Sequence, residues 1–378
     1  MSDSIDAAAR RRMLVARHHL ARTASTVTEA TADLLALHCS DPITPHLGLW
    51  ARVVDYEPAH LDRCVANASL WRVHAMRRTL WVASAAEIGM LGASVGDKIA
   101  RAERKRLQGW LEPVVADPER WLKPLEDAVT QRVIAQPGIS TRELRAHIPE
   151  LGTKVRMGSG KWVAESPVGS RLLFVLAMEL RIKRSKPAGT WRSSQYGWTA
   201  PTEVLPAETV SAKTDLVARY LDRFGPVTST DIRWWSGLGV RDIKRALASL
   251  GAREVRLDAG SGWVLSELPI ASAEEVVSLL PGLDPTPMGY KERDWFLGDH
   301  AADLFDRNGN IGPTVWVDGR IVGGWAVRSD GTVAWRALEP IATEIRAAVD
   351  VEAHRLEAWL GGLSITPRFR TPLERSLS

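Results

Sequence analysis

The 378-residue chain has two cysteines, Cys39 and Cys64. Two thiols build neither a disulfide framework nor a zinc site by themselves, and their scarcity suits a reducing cytosol. No apolar run reaches the roughly 20 residues that a membrane-spanning helix needs, so no membrane partner is expected. The opening stretch MSDSIDAAARRRMLVARHHLAR has basic residues but neither the apolar centre nor the small-residue cleavage site of a signal peptide. These absences together point to the cytoplasm. The nine histidines show no metal-ligand pairing, and the adjacent His18 and His19 cannot share one helical face. Gly160-Lys161 lacks the leading glycine and the following Ser or Thr of a phosphate loop. Asp306-Arg307-Asn308-Gly309-Asn310 opens like a calcium loop. Ile311 and Val317, however, stand where the turn glycine and bidentate glutamate belong. Neither a metal nor a nucleotide cofactor is therefore expected.

What is present is ordinary globular composition, 45% hydrophobic and 25% charged, in a chain long enough for two to four compact domains. The net charge of +4 is unevenly spread. Between Thr141 and Arg192 eleven basic residues face four acidic ones, so this window carries +7 and the rest of the chain −3. A concentrated basic face suits phosphate contacts, and it equally suits a solvated helical surface.

One order of elements recurs. A helix from Pro118 to Ile134 stops at Pro137-Gly138, and Ser140 with Glu143 forms a capping box for a second, shorter helix. A third helix fits Pro167 to Glu179. RIKRSKPAGTWRSSQYGWTA then reads as two strands around Pro187-Ala188-Gly189. Three helices and a basic hairpin make the layout of a winged helix. The order returns with a helix from Asp215 to Phe224, a break at Gly225-Pro226 and a cap by Thr228 and Asp231. A helix from Val240 to Leu250 and strands near Glu254–Asp258 and Gly262–Ser266 complete it. A fainter copy precedes both, with helices near Ala8–Leu20, Val27–His38 and Pro45–Val53. Its strands lie around Trp71–His74 and Arg78–Val82, and a long extra helix runs from Ala85 to Trp110. In the tail, Asp318-Gly319, Gly323-Gly324 and Asp330-Gly331 punctuate alternating apolar residues, which suggests a small antiparallel sheet or barrel. A helix from Pro340 to Leu360 closes it, and the residues from about Arg368 are expected to be loose. The expected fold is α+β: winged-helix units at 1–112, 113–203 and 204–278, then a C-terminal β domain at 279–378.

Candidate chemistry gathers at LLALHCSDPITPHLGLWAR, residues 34–52. A helix end carries His38, Ser40 and Asp41, Pro42 breaks it, and a second helix opens near Pro45. A histidine, a hydroxyl and a carboxylate at such a turn can position a water or move a proton. They can also cap the next helix and bond a backbone carbonyl, which is the commoner use of such residues. Most of the sixteen tryptophans, such as Trp50, Trp81, Trp121, Trp316 and Trp325, sit on apolar faces and read as core. Trp191 and Trp198 in the second hairpin are candidate base-stacking residues. Basic residues in third helices and hairpins fit DNA better than protein: Arg78, Arg171, Lys183, Arg184, Lys186, Arg241, Lys244 and Arg245.

Three segments resemble one family. LLALHCSDPITPHLGLWARV (34–53), LLPGLDPTPMGYKERDWFLG (279–298) and LFDRNGNIGPTVWVDGRIVGGWAVR (304–328) look like the AlkZ-like (YcaQ-like) winged-helix DNA glycosylases. The resemblance covers nearly the whole chain. It implies three tandem winged helices and a small C-terminal β domain around a concave basic channel for duplex DNA. It also implies a monofunctional hydrolase that cuts bulky N7- or N3-alkylated purines, or crosslinked bases, from their sugars. The partner would be duplex DNA, the chain a monomer and its place the nucleoid. The family motif is Gln-x-Gln or Gln-x-Asp; here His38, Cys39 and Ser40 occupy it, followed by Asp41, which matches a His-x-Ser/Thr variant of the wider family. By resemblance, His38, Ser40 and Asp41 form the catalytic group, and Asp284, Lys291, Arg293 and Trp295 lie along the channel, with Lys291 and Arg293 as DNA contacts. The alternative is a non-catalytic winged-helix protein that recognises damage or regulates transcription.

Overall fold

The structure, a computed structural model, describes residues 4–158, 163–202, 209–265, 275–367 and 370–378. The expectations for Gly160-Lys161 and for the strand end at Ser266 lie outside these residues. Two helices open the chain, α1 (Ala7–Arg17) and α2 (Val27–Asp33), each started by a side-chain cap: Asp6 on the Ala9 N–H and Thr26 on the Glu29 N–H. Such caps satisfy donors that have no partner within the first turn. The second helix stops at Asp33 rather than at the expected His38. Leu35 takes a left-handed φ of +62°, and Leu37–His38 is a two-residue strand, β1. Leu34 through Leu37 are each 1% exposed. An apolar run buried on every side has no period to separate helix from strand.

α3 (Ile43–Trp50) and α4 (Pro58–Ala66) follow, then the antiparallel pair β2 (Trp71–His74) and β3 (Leu80–Ala83). The expected long helix is α5 (Ala85–Leu91) and α6 (Asp97–Leu111), joined by a π-helical turn at Gly92–Gly96. Next come α7 (Pro118–Ala135) and α8 (Thr141–His147), the latter started by the Ser140–Glu143 capping box. The hairpin β4 (Lys154–Met157) and β5 (Ala164–Pro167), which precedes α9 (Val168–Met178), has no counterpart among the expected elements. β6 (Lys183–Pro187) and β7 (Tyr196–Thr199) close this stretch, with a longer connection than the three-residue turn expected. Then α10 (Thr209–Phe224), α11 (Ser229–Ser236) and α12 (Val240–Ser249) lead into the hairpin β8 (Arg253–Leu257) and β9 (Gly260–Val264). The remainder is β10 (Val277–Leu280), the short helices α13 (Pro285–Met288), α14 (Asp294–Leu297) and α15 (Ala301–Leu304), β11 (Thr314–Val317), β12 (Arg320–Val327), β13 (Val333–Ala337), α16 (Thr343–Leu360) and α17 (Pro372–Leu377). The fold is mixed α+β. No described helix is long and apolar enough to cross a membrane.

The chain divides into two compact units, residues 62–212 and residues 1–61 with 213–378. Within residues 62–212 an antiparallel sheet runs β3-β2-β6-β7. Its core joins Leu107, Leu122, Val129, Leu172, Leu176 and Trp198. Trp198 is therefore a core residue and not a base-stacking one; it is 2% exposed and its indole N–H donates to Thr141 Oγ1 at 2.9 Å. Gly197 permits this packing, because a Cβ there would lie 2.1 Å from the Gly138 carbonyl oxygen.

In the other unit the tail sheet runs β10-β11-β12-β13, antiparallel throughout. Gly323-Gly324, expected as a turn, lies inside β12. A Cβ on Gly324 would sit 2.2 Å from Leu373 Cδ2. The bare glycine thus makes the seat for α17. The carboxy-terminal residues from Arg370 are accordingly not loose: Leu373 and Glu374 are 1% and 2% exposed.

Candidate active site

The turn after β1 carries the candidate residues in unequal settings. His38 and Asp41 are buried, at 9% and 4% exposure, and Ser40 is half-buried. Asp41 Oδ1 accepts from the Ile43 N–H at 3.1 Å, which fixes the carboxylate at the start of α3. One helical step on, Thr44 Oγ1 donates to the Gly282 carbonyl at 3.0 Å and ties the same turn to the loop after β10. Between these elements lies a cavity of about 20 Å³ lined by Asp41, Thr44, Leu47, Gly282 and Trp325, among others. That volume seats one water. It is far below the several hundred Å³ of a pocket that takes a drug-sized ligand.

Behind α3 a fully buried network holds the turn from the rear. Arg52, Asp284, Thr286 and His18 are all 0% exposed. Arg52 uses all five of its guanidinium donors. Nε donates to the His18 carbonyl, Nη1 to the Gly48 carbonyl and Asp284 Oδ2, and Nη2 to Asp284 Oδ1 and Thr286 Oγ1, at 2.7–2.9 Å. The neighbouring Arg52 charge adds to burial in pushing the His18 imidazole well below its usual pKa, so it is neutral. Its Nε2 faces the Arg223 carbonyl at 3.1 Å and must carry the proton, which leaves Nδ1 to accept from the Thr286 hydroxyl at 2.9 Å. Asp284, expected along a channel, is thus an internal ion-pair partner.

The basic residues divide in the same way. On α12, Arg241, Lys244 and Arg245 are exposed, while Ile243, Ala246 and Leu247 are buried, so the three charges share the solvent face. Lys291 is exposed. Arg293 is buried, its guanidinium 5.1 Å from the Trp234 ring and 5.0 Å from the Phe305 ring. In residues 62–212, Lys186 is exposed and Arg78 reaches Glu103 at 3.1 Å. Lys183 is enclosed at 4% exposure over Trp71, and burial lowers its pKa. Arg171 and Arg184 line a cavity of about 350 Å³ with Ser166, Ser170 and Phe174. Arg184 stacks 3.6 Å over Trp198, and burial lowers its pKa to about 10.

Two groups escaped the sequence reading. His19, Glu29 and Asp33 place ligand-type atoms within 4.8 Å of one another. Those atoms already bond within the protein: His19 with Thr23 and Asp33, Asp33 with Arg223, and Glu29 with the Ser25 N–H. The other is Glu374 on α17. Its carboxyl is pushed up to about 7 by burial, against the pull of Arg370 and with a further push from the Asp41 charge. A carboxylate in a tail of expected disorder gives no local signal of burial.

A family profile described as DNA glycosylase AlkZ-like matches residues 31–359. No curated protein matches the chain by sequence. Among solved structures, the Streptomyces sahachiroi DNA glycosylase AlkZ is similar, with a TM-score of 0.69 at 19% identity over 96% of this chain and 99% of that one. A likeness at that identity speaks for the fold.

Proposed function

Because the chain belongs to the AlkZ-like DNA glycosylase family, we propose that it is a monofunctional DNA glycosylase. Its substrates would be N7- or N3-alkylated purines or crosslinked bases in duplex DNA. An N7-alkylated purine is already cationic, so the bond from its N9 to the sugar C1′ breaks with the electron pair leaving on the base and little help from an acid. The sugar is left with oxocarbenium character, and catalysis then needs a fixed negative charge beside C1′ and a placed water. Asp41 supplies the charge. His38 accepts the proton as the water oxygen bonds to C1′, and Ser40 holds the water. The observation that carries this reading is the buried Asp41 carboxylate, fixed by the Ile43 N–H beside a cavity the size of one water.

The exposed basic face of α12 fits phosphates, which position a duplex without reading its sequence. The helix–helix–helix–hairpin order of α10 to β9 supports a winged-helix module there, with equivalents in residues 1–112 and 113–203. His38 and Ser40 stand where better-known relatives carry two glutamines, or glutamine and aspartate, and that departure favours the second reading, a DNA-binding protein without catalysis. Incubation with a panel of alkylated and crosslinked duplexes, followed by chromatography for freed bases, separates the two. Release of alkylpurine is expected, with loss of about 10²–10⁴-fold in His38→Ala and Asp41→Ala variants that still shift DNA. Tight binding with every lesion left intact would overturn the glycosylase.

A further inference from the structure

Three elements of residues 62–212 meet around the cavity of about 350 Å³, which the proposed reaction leaves unused. The hairpin β4–β5 supplies Met157 and Ser166. Ser166 pairs with Val155, and Met157 lies two residues beyond Val155, so both side chains stand on one face of the hairpin. α9 supplies Ser170, Arg171 and Phe174, with Phe174 four and three residues after the other two and therefore on their side of the helix. Leu172, Val175 and Leu176 on its other side join the core. The start of α9 is fixed in place. A Cβ on Gly169 would lie 2.8 Å from the Leu151 carbonyl oxygen, and the Ser170 hydroxyl donates to the Pro167 carbonyl at 3.1 Å. The Phe174 ring is held by His74, which meets it edge-on at 4.9 Å. β6 completes the wall with Arg184.

The two guanidiniums of this cavity are short of negative charge. In the same unit Arg104, Arg106 and Arg181 each meet a glutamate at 2.5–2.6 Å. Arg171 and Arg184 pair with no carboxylate among the described residues, and none of those lining the cavity is acidic. Arg184 Nη1 donates to the Tyr196 carbonyl at 3.3 Å, while its Nε has no partner among the described residues. Across β2 and β6 Arg184 directly faces Arg72, and like charges so placed destabilise a strand pair. An enclosed cation without a counter-ion is costly, and the guanidinium fork matches the oxygens of a phosphate. Phe174 and Met157 form an apolar wall of the kind on which a planar base stacks. The volume falls within the range of about 300–1,000 Å³ typical of small-ligand sites. We propose that this cavity binds a nucleotide, with the phosphate on Arg171, Arg184 and Ser166 and the base against Phe174 and Met157. A free nucleotide and a nucleotide at the end of a DNA strand present the same two groups. The inference does not depend on the glycosylase reading.

The test measures binding to the full-length protein by calorimetry, with 2′-deoxyguanosine 5′-monophosphate, deoxyguanosine and inorganic phosphate as probes. The monophosphate should bind about tenfold or more tightly than either of the others, because it alone engages both walls. Arg184 packs on the core residue Trp198, so the variants are made on α9 instead. Arg171→Gln, at a half-buried position, should weaken the monophosphate by about tenfold or more and leave deoxyguanosine unchanged. Phe174→Leu should weaken the monophosphate and leave inorganic phosphate unchanged. Equal affinity for the monophosphate and inorganic phosphate, no binding of the monophosphate at millimolar concentration, or an unmoved affinity in either variant would overturn the site. A 5′-phosphorylated trinucleotide added in competition separates the two sources. Displacement of the bound monophosphate assigns the cavity to the end of a DNA strand, and failure to displace it assigns the cavity to the free nucleotide; either result upholds the nucleotide site.

Discussion

Asp284→Ala is the sharpest probe of how the candidate site is held. It removes two hydrogen bonds to Arg52, at 2.7 and 2.9 Å, and one to the Thr286 N–H at 2.9 Å. It leaves the guanidinium charge with no counter-ion at 0% exposure. Breaking a buried pair from one side costs about 3–5 kcal/mol, because the orphaned charge has lost its water as well as its partner. At about 2–4 °C per kcal/mol, the melting temperature should fall by roughly 6–20 °C. Arg52→Met should cost a similar amount, since Asp284 is then the stranded charge. The double variant Arg52→Met/Asp284→Leu should recover most of the loss, giving a coupling energy of about 2 kcal/mol or more. Urea titrations and calorimetry on the four proteins complete the cycle. A single-variant cost below about 1 kcal/mol, or additive costs, would refute the account, because the pair would then be no more than a solvated surface bridge.

Two further outcomes follow from the same geometry. Replacing Arg241, Lys244 and Arg245 on α12 with alanine should flatten the plot of log affinity for DNA against log salt by about 2.7. An unchanged slope in a salt series of gel shifts would take α12 out of the interface. Glu374 also ties stability to pH. Unfolded it titrates near 4.5 and folded at about 7, so across that window the native state keeps a proton that the unfolded chain has lost. Stability therefore declines as pH rises from about 4.5 to 7, and the cost, about 3 kcal/mol, is complete above it. Glu374→Gln should remove this slope and melt higher than the wild type at pH 8. Parallel melting curves from pH 4 to 9 would show that Glu374 ionises as freely in the folded protein as in the unfolded one.

What was legible in the sequence was local. The capping boxes Ser140–Glu143 and Thr228–Asp231 depend on a spacing of three residues, and both form as written. The Asp-Gly turn at 318–319 joins β11 to β12, as its left-handed φ values require. Errors appear where one position is decided by a distant one. Gly323-Gly324 has the local signature of a turn. Yet a close approach by Arg336, and a seat for Leu373 about fifty residues later, explain its glycines. The same seat converts an expected loose tail into a docked helix.

The candidate site shows the same division between near and far. His38, Ser40 and Asp41 can be picked out because they fall within four residues of a proline break. Asp284 also lies in a recognisable segment, but an acidic residue in a loop is by default solvated. Only a guanidinium 232 positions away makes its burial affordable. Thr371 and Leu373, at the other end of the chain, likewise pack on Gly312 and Gly324. Local sequence therefore identifies the groups that would meet the substrate. The groups behind them, Arg52, Asp284 and Thr286, become visible only when the backbone brings remote segments together. If Asp41 acts as proposed, the placing of its turn depends on segments far along the chain, as the Thr44 hydroxyl on the Gly282 carbonyl shows, as much as on the local bond from the Ile43 N–H.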